Sequence, residues 1–308
     1  MRNVVITGAT GAIGMALIEK LIQEKVNILI LAHKNSNRNS YIEEYKSTTD
    51  SFSIDIQYCN QNEYKNFESN KKYDVFYNFA WEGGRDRDNV LLHYSNVQYV
   101  LDAVDLAKRL GCHTFIGAGS QAEFGNAGVP LNDSIAPFPQ NAFGASKLYA
   151  GLMSRFYAQQ QGLRHIWARI LSVYGPYDGL KTMIISTIHK LLKKETPVFT
   201  AGIQLWDFIY SSDAANALYL LGEKSREGGG YCIGSGHVLP LRSYIEMIRD
   251  CIDPELKLVF GEIPYKKNDL MYLCADITDL EREFGFQPVI SFKEGIKKTI
   301  AWVQSVIE

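Results

Sequence analysis

Short apolar runs alternate with longer amphipathic stretches through the first half of the chain. Asn3 to Thr7, Asn27 to Ala32, Ser53 to Tyr58, Val75 to Phe79, Thr114 to Gly117 and His165 to Ile170 are such runs. Their length and nearly continuous apolar character predict strands buried on both faces. Between them, Ile13 to Gln23, Val90 to Leu110 and Ala142 to Gln161 place apolar residues three and four apart, which predicts helices. Strand and helix in alternation predict an α/β domain built on a doubly wound parallel sheet. Beyond Ser172 the rhythm shortens, with Gly175-Pro176, Pro197, Gly228-Gly229-Gly230 and Pro240 as punctuation. Residues 1–172, with a return segment at about 205–236, are expected to form the sheet domain, and 173–308 mainly a smaller C-terminal lobe.

Composition narrows the partners. A formal charge of -2 over 308 residues gives no general attraction to nucleic acid or to anionic membranes. The first strand begins at once, without a leader or a long apolar span, so a cytoplasmic protein is expected. Five scattered cysteines form no Cys-x-x-Cys pair, so buried free thiols are expected and no metal site.

Thr7-Gly8-Ala9-Thr10-Gly11-Ala12-Ile13-Gly14 follows the first strand and leads directly into the first helix. Glycines at this junction allow a tight turn and close backbone approach to a pyrophosphate, and the helix N-terminus offers free N–H groups. Gly8, Thr10, Gly11, Ala12, Ile13 and Gly14 are therefore candidate dinucleotide contacts in a Rossmann-type fold. At the end of the second strand, where a carboxylate would favour NAD(H), the chain reads His33-Lys34-Asn35-Ser36-Asn37-Arg38. His33, Lys34 and Arg38 favour NADP(H) over NAD(H), with a solvated basic turn as the alternative.

With these glycines at the start and Lys147 near the middle, the chain resembles the extended short-chain dehydrogenase/reductases, the epimerase/dehydratase group that modifies nucleotide sugars. Asn78-Phe79-Ala80, Asn96, Leu171-Ser172-Val173-Tyr174-Gly175-Pro176, Trp206-Asp207-Phe208-Ile209-Tyr210-Ser211-Ser212-Asp213, Tyr231-Cys232-Ile233-Gly234-Ser235 and Phe284-Gly285-Phe286-Gln287-Pro288 carry the resemblance in order. It implies Asn60, Ala80, Asn96 and Lys147 at the cofactor, Ser120 and Lys147 in catalysis, and Gln121, Ser172, Trp206 and Lys266 at a nucleoside-diphosphate sugar. It also implies a homodimer through the helices 90–110 and 142–161.

One atom departs from that pattern. Phe143 stands where the family carries its acid/base tyrosine, four residues before Lys147. Phenylalanine keeps the ring and has no proton to transfer, in a step where acid/base help contributes roughly 10²–10⁴-fold. Gln121 and Ala122 hold the places of the Asp-Glu pair of the family's 4,6-dehydratases, and Ala122 that of the cysteine of GDP-fucose synthases. The remaining expectations are NADPH-dependent reduction of a 4-keto-6-deoxy nucleotide sugar, 4-epimerisation of a nucleotide sugar, or an inactive NADP-binding sensor module. Glu123 is expected to face away from the site.

Overall fold

The computed structural model describes residues 1–48, 51–84 and 86–307. Its main sheet has a parallel body of seven strands: β1 (Asn3–Thr7), β2 (Asn27–Ala32), β3 (Ser53–Tyr58), β4 (Val75–Asn78), β5 (Thr114–Ser120), β6 (Arg164–Ile170) and β7 (Gly229–Ile233). Their spatial order is β7-β6-β5-β4-β1-β2-β3, and Ser47–Thr48 adds an antiparallel edge beyond β3. Val4 of β1 lies opposite Ile28 on one side and Val75 on the other. The strand order reverses between β1 and β4, and such a switch point opens a crevice at the carboxyl ends of the strands.

Successive side chains of a strand point to opposite faces, and both faces are covered here. Val4 and Ile6 join a core with α1 (Ala12–Gln23) and the later helix Ser211–Lys224, through Met15, Leu17, Leu218 and Leu221. Val5 joins the opposite core with α2 (Val90–Arg109) and α3 (Ala142–Gln160), through Val97, Val104 and Ala150. This two-sided burial explains why the strands read as apolar runs. A third core, of Ile184, Ile185, Ile188, Ile248, Ile296, Ile300 and Val303, holds the helices Met183–Leu192, Leu241–Ile252 and Phe292–Ile307 together. Fully burying one such isoleucine contributes about 1.5–3 kcal/mol.

The elements differ from the sequence pattern mainly where glycine enters a strand. β5 runs three residues past Gly117, to Ser120. A Cβ on Gly117 would lie 2.3 Å from the Trp167 ring, and one on Gly119 2.5 Å from its indole nitrogen. The missing side chains thus make room for an aromatic ring, and the weak strand signal is the result. β7 opens on Gly229 and Gly230, and a Cβ on Gly230 would lie 2.1 Å from the Asp133 carboxylate. The stretch from 205 to 236 is divided: Ser211–Lys224 and β7 return to the main domain, while Leu205–Trp206 pairs with Leu239–Pro240 and Tyr272–Leu273 in a separate small sheet.

Asp207 fastens that small sheet to the end of β7. Its fully buried carboxylate accepts the Ser235 N–H at 2.8 Å and hydroxyl at 2.6 Å, the Ala275 N–H at 3.0 Å and the Gly236 N–H at 3.1 Å. Removing it would strand several buried donors, each costing about 1–3 kcal/mol. Asp207→Ala is therefore expected to lower stability by roughly 3 kcal/mol or more, read as a fall in the urea midpoint; an unchanged midpoint would contradict this role.

Candidate active site

The glycine loop has three distinct geometries. Gly8 adopts a positive φ of 68°, and a Cβ there would lie 2.6 Å from the Phe79 carbonyl carbon and the Ala80 nitrogen. Gly14 is closed by the Ala9 backbone at 2.6 Å, which fixes α1 against the loop. Gly11, by contrast, is the N-cap of α1, and a Cβ there would meet nothing within 4 Å. Two glycines therefore serve the protein's own packing, while the third leaves open the approach to the helix N-terminus, ahead of Ala12 and Ile13. That cradle fits a pyrophosphate. Thr7 ties the neighbouring strand ends together: its hydroxyl donates to Asn78 Oδ1 at 2.8 Å and accepts the Ala80 N–H at 3.2 Å.

Beside this loop is a cavity of about 310 Å³, lined by Gly8, Thr10, Ala32, His33, Ala80 and Trp81, among others. The structure engages the basic residues expected to hold a phosphate there. The Lys34 ammonium pairs with the Glu63 carboxylate, and its backbone N–H takes up Asn60 Oδ1 at 3.0 Å. The Arg38 guanidinium donates to the carbonyls of Tyr177 at 2.8 Å and Asp178 at 3.1 Å. Asn60 accordingly caps the following 3₁₀ turn and receives Lys34, while its neighbours Cys59 and Gln61 line the cavity. Asn96 also acts at one remove. Buried in α2, it accepts the Glu82 N–H at 2.8 Å and donates to the Glu82 carbonyl at 3.1 Å. It holds the loop that carries Trp81 and Glu82 along the cavity.

A second cavity, of about 360 Å³, contains Ser120, Gln121, Phe143, Ser172 and Trp206 among its lining residues, so these five expected site residues come together. Ser120 ends β5 and caps a short 3₁₀ turn, its Oγ accepting the Ala122 N–H at 3.2 Å. Phe143 reaches this cavity because α3 starts hard against that turn. Asn141 caps the helix by accepting the Gly144 N–H at 2.8 Å, and a Cβ on Gly144 would lie 2.3 Å from the Ala122 carbonyl oxygen. Trp206 donates its indole N–H to Ser172 Oγ at 2.8 Å. Lys266 does not join them: it is exposed, outside the lining of this cavity, and its backbone N–H donates to the Asp269 carboxylate at 2.8 Å.

Lys147 lies one turn beyond Phe143 and is buried. Its ammonium donates to the Ala118 carbonyl at 2.7 Å and sits 3.9 Å from the Trp81 ring centre and 5.9 Å from that of Phe143. Burial pushes its pKa down to about 7, against an opposing pull from the Glu123 carboxylate. Trp81 was not anticipated among the site residues, although it directly follows Asn78-Phe79-Ala80. Its ring meets Phe143 edge-on at 6.0 Å, and its N–H donates to His93 Nδ1 at 3.2 Å. The other imidazole nitrogen faces the Asp86 carbonyl at 2.8 Å, so His93 carries its proton on Nε2. Glu123 is fully buried and turns away from the cavity, accepting the Ser120 N–H at 2.8 Å and the Trp167 indole N–H at 2.9 Å and pairing with Arg169 at 2.8 Å.

Residues 4–234 match the NAD dependent epimerase/dehydratase family, and the chain belongs to that family. Among its relatives, the UDP-glucuronate 4-epimerase of Thermodesulfobacterium geofontis is 25% identical over 98% of this chain and 96% of that protein. The CDP-abequose synthase of Salmonella typhimurium is 22% identical over 96% of this chain and 97% of that protein. Of solved structures, the UDP-N-acetylglucosamine 4-epimerase of Methanobrevibacter ruminantium, in complex with UDP-N-acetylmuramic acid, superposes with a TM-score of 0.86 at 22% identity, covering 99% of each chain. The Bacillus cereus UDP-glucuronic acid 4-epimerase, in complex with UDP-glucuronic acid and NAD, gives 0.86 at 17% identity, also over 99% of each chain. Among the described residues, no cluster of His, Cys, Asp or Glu could hold a metal ion, and no helix is long and apolar enough to cross a membrane.

The buried ammonium has a consequence for stability. An unfolded chain carries Lys147 near the ordinary lysine value of 10.5, and the folded one near 7. The cost of burying its charge is therefore present in full below about pH 7 and fades as pH rises toward 10.5. Lys147→Met removes that titration. Relative to the parent, the variant's urea midpoint is expected to rise between about pH 10 and pH 7 and to hold a constant difference below that. A difference independent of pH would show the ammonium to be solvated.

Proposed function

We propose that this chain is a UDP-sugar 4-epimerase of the family, binding NAD(H), in which Phe143 omits the hydroxyl that moves the proton. The observation that carries the reading is that Ser120 and Phe143 line the second cavity, while the buried Lys147 ammonium lies between the Phe143 ring, at 5.9 Å, and the ring of Trp81, at 3.9 Å, which lines the glycine-loop cavity. NAD would supply the hydride acceptor. In this reading the Ser120 hydroxyl hydrogen-bonds the sugar C4 oxygen, and Lys147 offers positive charge to the cofactor ribose from beneath Trp81. The Phe143 ring packs beside that oxygen with no group to take or return its proton. Turnover should be slow and binding intact.

The NAD(H) reading is supported by the pairing of Lys34 with Glu63 and by the two carbonyls that engage Arg38. Reduction of a 4-keto-6-deoxy sugar is the second reading, favoured by Gln121 and Ala122 in the dehydratase acid/base places and by the likeness to CDP-abequose synthase. Exposed apolar residues on α2 and α3, including Leu91, Tyr94, Tyr149, Leu152 and Phe156, support a homodimer through these helices.

The parent and Phe143→Tyr should be compared for 4-epimerisation of UDP-glucose, UDP-N-acetylglucosamine and UDP-glucuronate with NAD. A gain in kcat of about a hundredfold or more, the lower end of acid/base help, is expected. If NADPH oxidation by 4-keto-6-deoxyhexose nucleotides responds instead, the reductase reading replaces this one. Equal and substantial rates in both proteins would mean that another group moves the proton. Uptake of NAD(H) without affinity for any nucleotide sugar would leave the sensor.

Cofactor choice has its own test. Trp81 lines the cofactor cavity, so its fluorescence can follow titration with NAD⁺ and NADP⁺. The parent is expected to bind NAD⁺ the more tightly, and Glu63→Gln to shift the ratio toward NADP⁺ by roughly two- to fivefold, the scale of one exposed ion pair. A parent that prefers NADP⁺ would overturn the assignment.

A further inference from the structure

The lining of the second cavity contains two charged side chains, Arg87 and Asp178. Asp178 is committed locally: its carboxylate accepts the Gly179 N–H at 2.6 Å and the Thr182 hydroxyl at 2.9 Å. Arg87 is exposed and lies between β4 and α2. Its backbone carbonyl accepts the Phe143 N–H at 2.8 Å, which pins this part of the loop to the start of α3. Its guanidinium carbon lies 5.5 Å from the Phe143 ring centre. Among the described residues, no carboxylate lies within ion-pair distance of that guanidinium, and its side chain makes no hydrogen bond.

An unpaired guanidinium held over an aromatic ring is an oriented fork of N–H donors. It stands with Phe143 and Ser120, where the sugar would react. Hydroxyls of a neutral hexose offer it no more than the water they displace, whereas a carboxylate can accept two parallel N–H bonds from it. We infer that Arg87 selects a nucleotide sugar bearing a carboxylate on its sugar moiety. The inference rests on the UDP-sugar reading above and narrows it to an acidic sugar. The carboxylate can be that of a hexuronate, at C6, or that of a lactyl ether on the ring, and the two are separable by ligand.

The test is calorimetric titration of the full chain with UDP, UDP-glucose, UDP-glucuronate, UDP-N-acetylglucosamine and UDP-N-acetylmuramate, repeated with Arg87→Gln and Arg87→Lys. One acidic sugar is expected to bind about tenfold or more tighter than its neutral partner, on the scale of one charge-assisted hydrogen bond. The glucuronate pair responding indicates the hexuronate, and the muramate pair the lactyl ether. Arg87→Gln should abolish the preference and leave UDP affinity unchanged, while Arg87→Lys, which keeps the charge without the fork, should retain part of it. Unchanged UDP affinity also certifies that the variants fold. Equal affinities for both pairs in the parent, or a preference that survives Arg87→Gln, would overturn the inference while leaving the UDP-sugar reading in place. Loss of UDP affinity in Arg87→Gln would assign the guanidinium to the diphosphate and overturn it too. Failure of the parent to bind UDP or any UDP-sugar would remove both the reading and the inference.

Discussion

A single carboxylate holds the end of β5 and its neighbours in place. Glu123, fully buried, gathers the Ser120 backbone, the Trp167 indole and the Arg169 guanidinium around its two oxygens. Leaving such a charge unpaired in the interior would be costly, so the three partners must stay where they are. Ser120 thereby inherits a fixed position at the tip of β5. Trp167 is held flat across the sheet, and the absence of side chains at Gly117, Gly119 and Gly151 follows from its ring, which a Cβ at any of them would strike. Arg169 carries the constraint outward to Asp133, beside β7. The residue lies two beyond Gln121 yet serves the scaffold, because the turn directs it inward.

Much of this architecture was legible in the chain itself. Six strands and three helices of the main domain lie within a few residues of their predicted limits, because burial on both faces gives a strong local signal. The strand-to-helix position of the glycines was equally clear, since that motif is local. Long-range pairing was not. Lys34 and Arg38 looked free in sequence, but the partner of the first comes 29 residues later and those of the second 139 and 140 residues later. β7 was obscured by its glycines, and Trp81 by the common use of tryptophan as packing. The likeness that suggested Lys266 as a phosphate contact concerned a loop whose path differs from the site's own elements.

Around Phe143 the candidate site is largely aromatic. Trp81 and His93 approach the Phe143 ring at 6.0 and 5.5 Å, and the Lys147 ammonium rests on the indole face. Aromatic faces can hold a cation by their quadrupoles while giving it no hydrogen-bond acceptor. The ammonium's hydrogen bond to the Ala118 carbonyl anchors it on the sheet side. Lys147 therefore keeps its place through the sheet and the indole, and that place does not depend on a phenol four residues earlier. A phenylalanine at position 143 is thus compatible with the scaffold around it.

The bonds from Arg38 to the carbonyls of Tyr177 and Asp178 join the turn after β2 to a segment 139 and 140 residues later. Asp178 also lines the second cavity. The turn after β2 is thus mechanically tied to a wall of the neighbouring cavity. A cofactor that drew the guanidinium toward itself would slacken that wall, and thermodynamic reciprocity would require sugar binding to alter cofactor affinity by the same factor. Nucleotide discrimination and sugar affinity would then share one side chain, and neither could evolve without the other.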